Sequence, residues 1–406
     1  VALHSKKSPS AAHILHNCPG ALALAESLPE KERRSSIASQ RGTAAHYLLQ
    51  VSLEESKHPE AYLCRLIGIR DGDAEWIEES TESYERVFEV DSHMVSAVAI
   101  AHNYIRRRKA SLWADELTLE TRTNPLPDRD DSGGIADATI IGLAELEVAD
   151  YKNGRIPVEV KGNPQCLAYL LGRAHDTGWR HKRYRITIIQ PNAAHADGPV
   201  RSQACTAEEL RAFSELHRKA CELADRAADE FGETPLSVWS SQYLNAGEHC
   251  TFCKAAGPCV TRAALTAEQA RIAFAEEPSM EPLEQCAQVF RFASQIRAHL
   301  EAAEEYLLQA LLSGRKVEGF KLVQRRTVKK WRPDIPRNRL VSKILEAGYI
   351  KDRASLFKRG KLISGSQAEK LVDPNRRQAF SDEYLFKPTG ELTIALDSDP
   401  RAAERV

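Results

Sequence analysis

The sequence lacks an excess of charge of either sign: 56 Lys and Arg stand against 57 Asp and Glu, a formal net charge of −1. That excludes a global electrostatic pull toward nucleic acid or an anionic membrane, so any polyanion-binding surface must come from local clustering. No apolar run has the length of a membrane span. The first residues, VALHSKKSPS, lack the charged-then-apolar order of a secretory leader. There is no internal repeat and no low-complexity tract. A cytoplasmic protein with no membrane partner is the expectation. What is present, 42% hydrophobic and 28% charged residues over 406 positions, reads as a globular chain of two or three structural units. Nine cysteines, odd in number and unevenly placed, argue in a reducing compartment for metal ligands or free thiols over disulfides.

Local patterns sketch an α/β protein. Ser8 as cap and Pro9 at the first helical position predict a short helix over 8–17, stopped by Pro19-Gly20. A second helix is expected from about Thr43 to Glu55, with more helix to roughly residue 110. LWADELTLET, GGIADATIIGL and AELEVADYK then read as three strands. Helical spacing returns over Gln165 to Gly172, and RYRITIIQP reads as a further strand. Thr206 and Glu209 form a capping box that opens a long helix to about Phe231. A long amphipathic helix is expected from Pro282 to Leu312. The organisation read from this is a core over 1–265, a helical region over 266–313 and a basic C-terminal subdomain over 314–406.

Asp137 follows a Gly-Gly turn, and thirteen residues later Asp150 and Lys152 flank Tyr151 at the end of an apolar strand. Side chains at i and i+2 of a strand share a face. Asp150 is thereby placed to ligate a hard divalent cation, with the Lys152 ammonium beside it. Phosphodiester hydrolysis needs that combination of carboxylate oxygens for Mg²⁺ or Mn²⁺ and positive charge near the attacking water. Glu159-Val160-Lys161 has the same form, but no apolar strand leads into it and only three residues separate it from Gln165.

The order G-x-x-D, D-x-K, Gln165-x-x-x-Tyr169 resembles the RecB-like branch of the PD-(D/E)XK nucleases, which includes the RecB and AddB nuclease domains and the CRISPR-associated iron–sulfur exonucleases. The resemblance implies a restriction-endonuclease-like core, a central mixed sheet flanked by helices, and a metal-dependent deoxyribonuclease acting as a DNA exonuclease. It implies catalytic roles for Asp137, Asp150 and Lys152, with Gln165 and Tyr169 one helical turn apart and lining the substrate phosphate. It also implies an early metal-ligating His, here His46 in RGTAAHYLL, beside Asp137 and Asp150. An acidic residue one strand upstream is usual; Glu116 or Glu120 could fill that place, and Glu116 is favoured. The order of the whole chain, through its terminal K-P-x-G and S-D-x-R pieces, is similar to a phage- and prophage-encoded family of that superfamily. This implies DNA recombination or end processing in a bacterial host, beside a single-strand annealing protein. The alternative is a non-catalytic DNA-end-binding or scaffold protein that keeps the fold.

CTFCKAAGPC supplies Cys250, Cys253 and Cys259, a C-x2-C-x5-C cluster, and Cys18 in HNCPG is the best candidate for a fourth ligand. Spacing alone leaves a structural zinc site and an iron–sulfur cluster equally open. The split of one early and three late cysteines resembles the AddB-type and CRISPR-associated nucleases and implies a [4Fe–4S] cluster of structural role. Finally, residues 315–332 hold eight Lys or Arg against one Glu. Lys321, Arg325, Arg326, Lys329, Lys330 and Trp331 are candidate DNA contacts, by phosphate neutralisation and base stacking. The competing reading is a solvated pair of strands.

Overall fold

The computed structural model describes residues 5–28, 36–78, 83–114, 116–275, 281–332, 335, 337–358 and 361–404. The chain falls into two compact units, Val1–Leu300 and Glu301–Val406. Their boundary lies inside one long helix, so the helical region expected over 266–313 is shared between them.

The first unit opens with α1 (Ala12–Asn17), α2 (Ala21–Glu26) and α3 (Ile37–Glu54). A small antiparallel sheet follows, made of β1 (Leu66–Arg70), β2 (Asp73–Trp76) and β3 (Arg86–Glu89) in the order β2-β1-β3. This stretch was expected to be helical. The β1–β2 pairing of Arg70 with Asp73 leaves Asp71-Gly72 as a two-residue turn, with φ of 52° and 86°. That is the Asp-Gly hairpin signature, which requires left-handed backbone at both positions.

Next come α4 (Ser92–Ser111), β4 (Glu116–Thr123), β5 (Gly134–Ile141), β6 (Glu145–Tyr151), α5 (Pro164–Asp176), β7 (Arg183–Ile189) and β8 (Val200–Cys205). The five strands form one sheet in the order β4-β5-β6-β7-β8, antiparallel except for the parallel β6–β7 pair that α5 crosses. β6 is buried along its whole length, as a central strand must be when both faces are covered. One apolar cluster joins α3, α4 and the small sheet to Ala138, Ile140, Ala149 and Tyr151. A second joins α5 and the following helix to Leu146, Val148, Ile186 and Ile188. The result is a mixed sheet between helical layers.

Capping fixes where the helices start. Asp91 accepts from Met94 N–H at 2.7 Å to cap α4, and the same carboxylate takes a bidentate grip from Arg41 of α3. Thr206 and Glu209 make the expected reciprocal capping box at the head of α6 (Ala207–Asp229). α6 packs on α1 and α2, and Lys7 bridges Asp131 and Asp225, with Arg129 pairing to the same two carboxylates. The unit continues through α7 (Leu236–Tyr243) and α8 (Val260–Ala273) into α9 (Pro282–Leu312), whose bounds are those expected.

The second unit pairs β9 (Phe320–Gln324) with β14 (Leu392–Leu396), and β10 (Lys330–Trp331) with β13 (Leu385–Phe386). Between them lie α10 (Arg337–Glu346), the β11 (Phe357–Lys358) and β12 (Lys361–Leu362) hairpin, α11 (Gly365–Leu371) and α12 (Arg377–Tyr384). Leu340, Ile344, Leu356, Ala368, Phe380 and Tyr384 form its core. The basic segment therefore does not pair with itself: β9 and β10 each take a partner from the end of the chain.

Candidate metal centre and cysteine cavity

Three acidic residues fall in one row across neighbouring strands. Leu119 pairs with Ala138 and Thr121 with Ala136, which sets Glu120 opposite Asp137. The β5–β6 ladder ends at Ala138 and Ala149, one step short of Asp137 and Asp150. There Tyr151 N–H donates to the Asp137 carboxylate at 2.7 Å instead of to a backbone carbonyl. The strands part at this point, and a side chain occupies the place of a ladder bond. Glu120 has φ of +43°, left-handed backbone that a non-glycine residue holds at a cost of about 1–3 kcal/mol and that concentrates at functional sites.

α3 brings His46 to the same place. Its Nδ1 lies 3.5 Å from Asp137 Oδ2 and 4.0 Å from Glu120 Oε1, and its ring meets Tyr151 edge-on at 5.2 Å. Donor atoms of His46, Glu120 and Asp137 all lie within 4.8 Å of one another. Glu116, the acid favoured from sequence, is not part of this group. It sits exposed at the head of β4 opposite Ile141, four residues or roughly 13 Å of strand away. The sequence offers both glutamates on one face of the strand; only the register with Asp137 selects Glu120.

Asp150 is 3% exposed, and Lys152 Nζ lies 3.1 Å and 2.9 Å from its two oxygens. The shorter contact is off-axis, so Asp150 Oδ2 is a buried oxygen with no hydrogen-bond donor. The ammonium nonetheless faces that oxygen, which is ion-paired and keeps accepting capacity. Lys152 also donates to Gln165 Oε1 at 3.2 Å. Tyr169, one turn further along α5, lies beside Gln165, and its ring closes over Gly134. A β-carbon at Gly134 would stand 3.2 Å from that ring and 2.7 Å from Pro9, so the Gly-Gly turn before Asp137 is needed for close approach. The structure thus brings His46, Asp137, Asp150, Lys152, Gln165 and Tyr169 together, and adds Glu120.

The charges at this centre are out of balance. Burial first, then repulsion from Asp137, Asp150 and Glu54, pushes the Glu120 carboxyl up to about 8. Burial also raises Asp150 against the pull of Lys152. For Lys152, burial works to lower the pKa but the Asp150 carboxylate wins, so the ammonium stays charged. Burial keeps the Tyr169 hydroxyl protonated.

The second constellation is a small apolar cavity lined by Cys18, Cys250, Cys253 and Cys259, with Ala21, Leu24, Leu244 and Ala256 around them. Cys18 ends α1, Cys250 lies in a 3-10 turn over Glu248–Phe252, Cys253 follows that turn, and Cys259 caps α8. Backbone N–H groups of Asn245 and Gly247 point at the sulfurs of Cys18 and Cys250, both at 3.4 Å. His249 lies beside Cys18 and Cys250, and its Nε2 meets the Asn245 carbonyl at 2.9 Å. Cys64, Cys166, Cys205, Cys221 and Cys286 are free thiols outside the cavity.

In the C-terminal unit the candidate DNA contacts divide. Lys321 Nζ donates to the carbonyls of Asp397 (3.1 Å) and Asp399 (2.7 Å), and Lys329 pairs with Glu369 at 2.6 Å. Trp331 donates to the Ile363 carbonyl at 2.8 Å and packs edge-on against Phe380. Its ring is half-buried against the core of this unit. Arg325, Arg326 and Lys330 are exposed. Among the described residues no helix is long and apolar enough to cross a membrane. The family model described as protein of unknown function (DUF2800) matches residues 4–402, which takes in nearly all of both units, and the chain belongs to that family.

Proposed function

We propose that this chain is a metal-dependent deoxyribonuclease with a restriction-endonuclease-like core, acting on DNA ends in recombination or repair. The observation that carries this is the row Glu120–Asp137–Asp150 with His46 on one side and Lys152 on the other. One imidazole and several carboxylates form a donor set suited to Mn²⁺ or Mg²⁺. The repulsion that raises Glu120 is relieved by a cation. When bound, such an ion supplies Lewis-acid stabilisation of phosphate charge and a more acidic water.

The side chains do the rest. Lys152, cationic at neutral pH, sets an ammonium where negative charge builds on the phosphate. Gln165 fixes that ammonium from the α5 side, and the protonated Tyr169 hydroxyl is a donor to a phosphate oxygen. Neither Lys152 nor Tyr169 is poised to take a proton, so the attacking water loses its proton to a carboxylate or to solvent. The exposed Arg325, Arg326 and Lys330 would hold the DNA backbone through charge rather than stacking.

We propose further that the four cysteines hold a [4Fe–4S] cluster. Four thiolates around one apolar cavity suit such a group, and the N–H groups aimed at Cys18 and Cys250 are the kind that tune cluster sulfur.

The test of the activity is digestion of end-labelled linear DNA by the purified protein with Mn²⁺. Cleavage is expected for the wild type, and none for Asp150→Ala or Lys152→Ala that still melt cooperatively. Wild-type rates in either variant would refute the site. For the cluster, freshly isolated protein should absorb broadly in the visible and contain iron and sulfide. A colourless protein with one equivalent of zinc would replace it.

A further inference from the structure

The segment that follows Lys152 is held in one shape by interior side chains. Gln190, 1% exposed, donates from Nε2 to the carbonyls of Gly154 (3.1 Å) and Ile156 (2.7 Å), and its Oε1 accepts from Val158 N–H (3.0 Å). Arg201, 4% exposed, braces that amide by donating to Gln190 Oε1 at 2.9 Å and to the Val158 carbonyl at 3.0 Å. Asn192 fixes the near end by donating to both the backbone and side-chain oxygens of Asn153. Gly42, on the helix that carries His46, faces Asn153, so the loop begins against the wall of the metal centre.

What this scaffold presents outward is Arg155, exposed, and Ile156, 62% exposed. Pro157 restricts Ile156 to extended backbone and stiffens the tip further. A lone exposed apolar residue is ordinary on a protein surface. A β-branched one on a clamped tip, four residues after Lys152, is a different case. Buried polar groups are committed to ordering a segment whose tip faces solvent.

We infer that Ile156 is a wedge that parts the terminal base pair of a duplex DNA end, with Arg155 on the adjoining phosphate, so that one strand is delivered to Asp150 and Lys152. The inference rests on the hydrolase reading above and names its substrate as a duplex end. A single strand needs no parting and is gripped by aromatic platforms. The tip carries an aliphatic side chain and a cation, the pairing used to unstack a base step while holding the backbone.

The experiment compares initial rates with Mn²⁺ on a blunt duplex and on the same strand alone, for the full chain and for Ile156→Ala. Leu143→Ala serves as control, since Leu143 is 81% exposed in the β5–β6 turn at the opposite end of the sheet. The duplex-to-single-strand rate ratio should fall roughly tenfold in Ile156→Ala, the size of effect a single unstacking step can carry, and stay at the wild-type value in the control. A second readout is the fluorescence of 2-aminopurine in the terminal pair, with Ca²⁺ replacing Mn²⁺. It should rise on adding wild type and not on adding Ile156→Ala. An unchanged ratio in a wild type that cleaves would remove the wedge and leave the hydrolase standing. A wild type that cleaves neither substrate would remove both.

Discussion

At the residue scale, the candidate metal centre gathers groups whose mutual repulsion costs stability. Glu120, Asp137 and Asp150 repel one another, and Glu120 holds a left-handed backbone as well. Replacing Asp150 by Asn should therefore raise the melting temperature of the metal-free protein while abolishing Mn²⁺ binding, measured by calorimetry on one preparation. A fall in melting temperature would mean that the carboxylate is a structural partner of Lys152 first. The sign of the pH dependence follows from Glu120. Its carboxyl is raised from 4.5 to about 8 on folding, so the folded state favours the protonated form. Metal-free protein should lose stability as pH rises from about 4.5 to about 8, and Mn²⁺ should reverse the loss because ligand carboxylates must be ionised. Melts in EDTA and in Mn²⁺ across that window check it, and Glu120→Gln should flatten the EDTA curve. That Asp150 and Lys152 come together was legible from their i, i+2 spacing at the end of one strand, whereas Asp137, Gln165 and Tyr169 were singled out by the family resemblance and are brought beside them by a second strand and a helix. The choice between Glu116 and Glu120 was not legible, because it depends on strand register, which no local pattern states.

At the scale of elements, capping and turn chemistry carried most of the readable signal. The Thr206–Glu209 box and the Pro282–Leu312 helix were legible from sequence; the β1–β3 sheet was not. Its strands are short, and helical expectation on both sides drowned the Asp71-Gly72 turn that marks it. An aromatic among cations looks the same in sequence whether it faces solvent or a core, and half-buried Trp331 does some of each. The junction of α5 with β5 is tight enough to test. Gly134→Val drives side-chain atoms into Pro9 and Tyr169 and should destabilise by about 1–3 kcal/mol, with loss of cleavage beyond what the melting shift explains. Gly154→Ala has open space around its added carbon and should be neutral in denaturant melts.

Across the whole molecule, charge is distributed very unevenly. Residues 315–377 hold 19 Lys and Arg against 6 Asp and Glu, although the full chain is nearly neutral. Composition hid this by averaging, while the local run at 315–332 exposed part of it. Replacing the exposed Arg325 and Arg326 with Glu should weaken DNA binding on every sequence alike. It should also reduce the slope of log affinity against log salt by about 2, read from anisotropy titrations. No change in slope would place the DNA elsewhere. The cysteine cavity brings residue 18 to residues 250–259, and the proposed cluster, closing so long a loop, would contribute about 5 kcal/mol in chain-entropy terms. Cys18→Ala should lower the melting temperature and open the N-terminal helices to limited proteolysis.

That cavity also imposes a timetable on biosynthesis. Its first thiol leaves the ribosome early and its other three more than two hundred residues later. Under the proposed cluster, the helices at the head of the first unit stay unfastened until residue 259 has been translated. The proposed cofactor would then act as the final inspection step, so a cell starved of it would make the polypeptide and still not obtain the working protein.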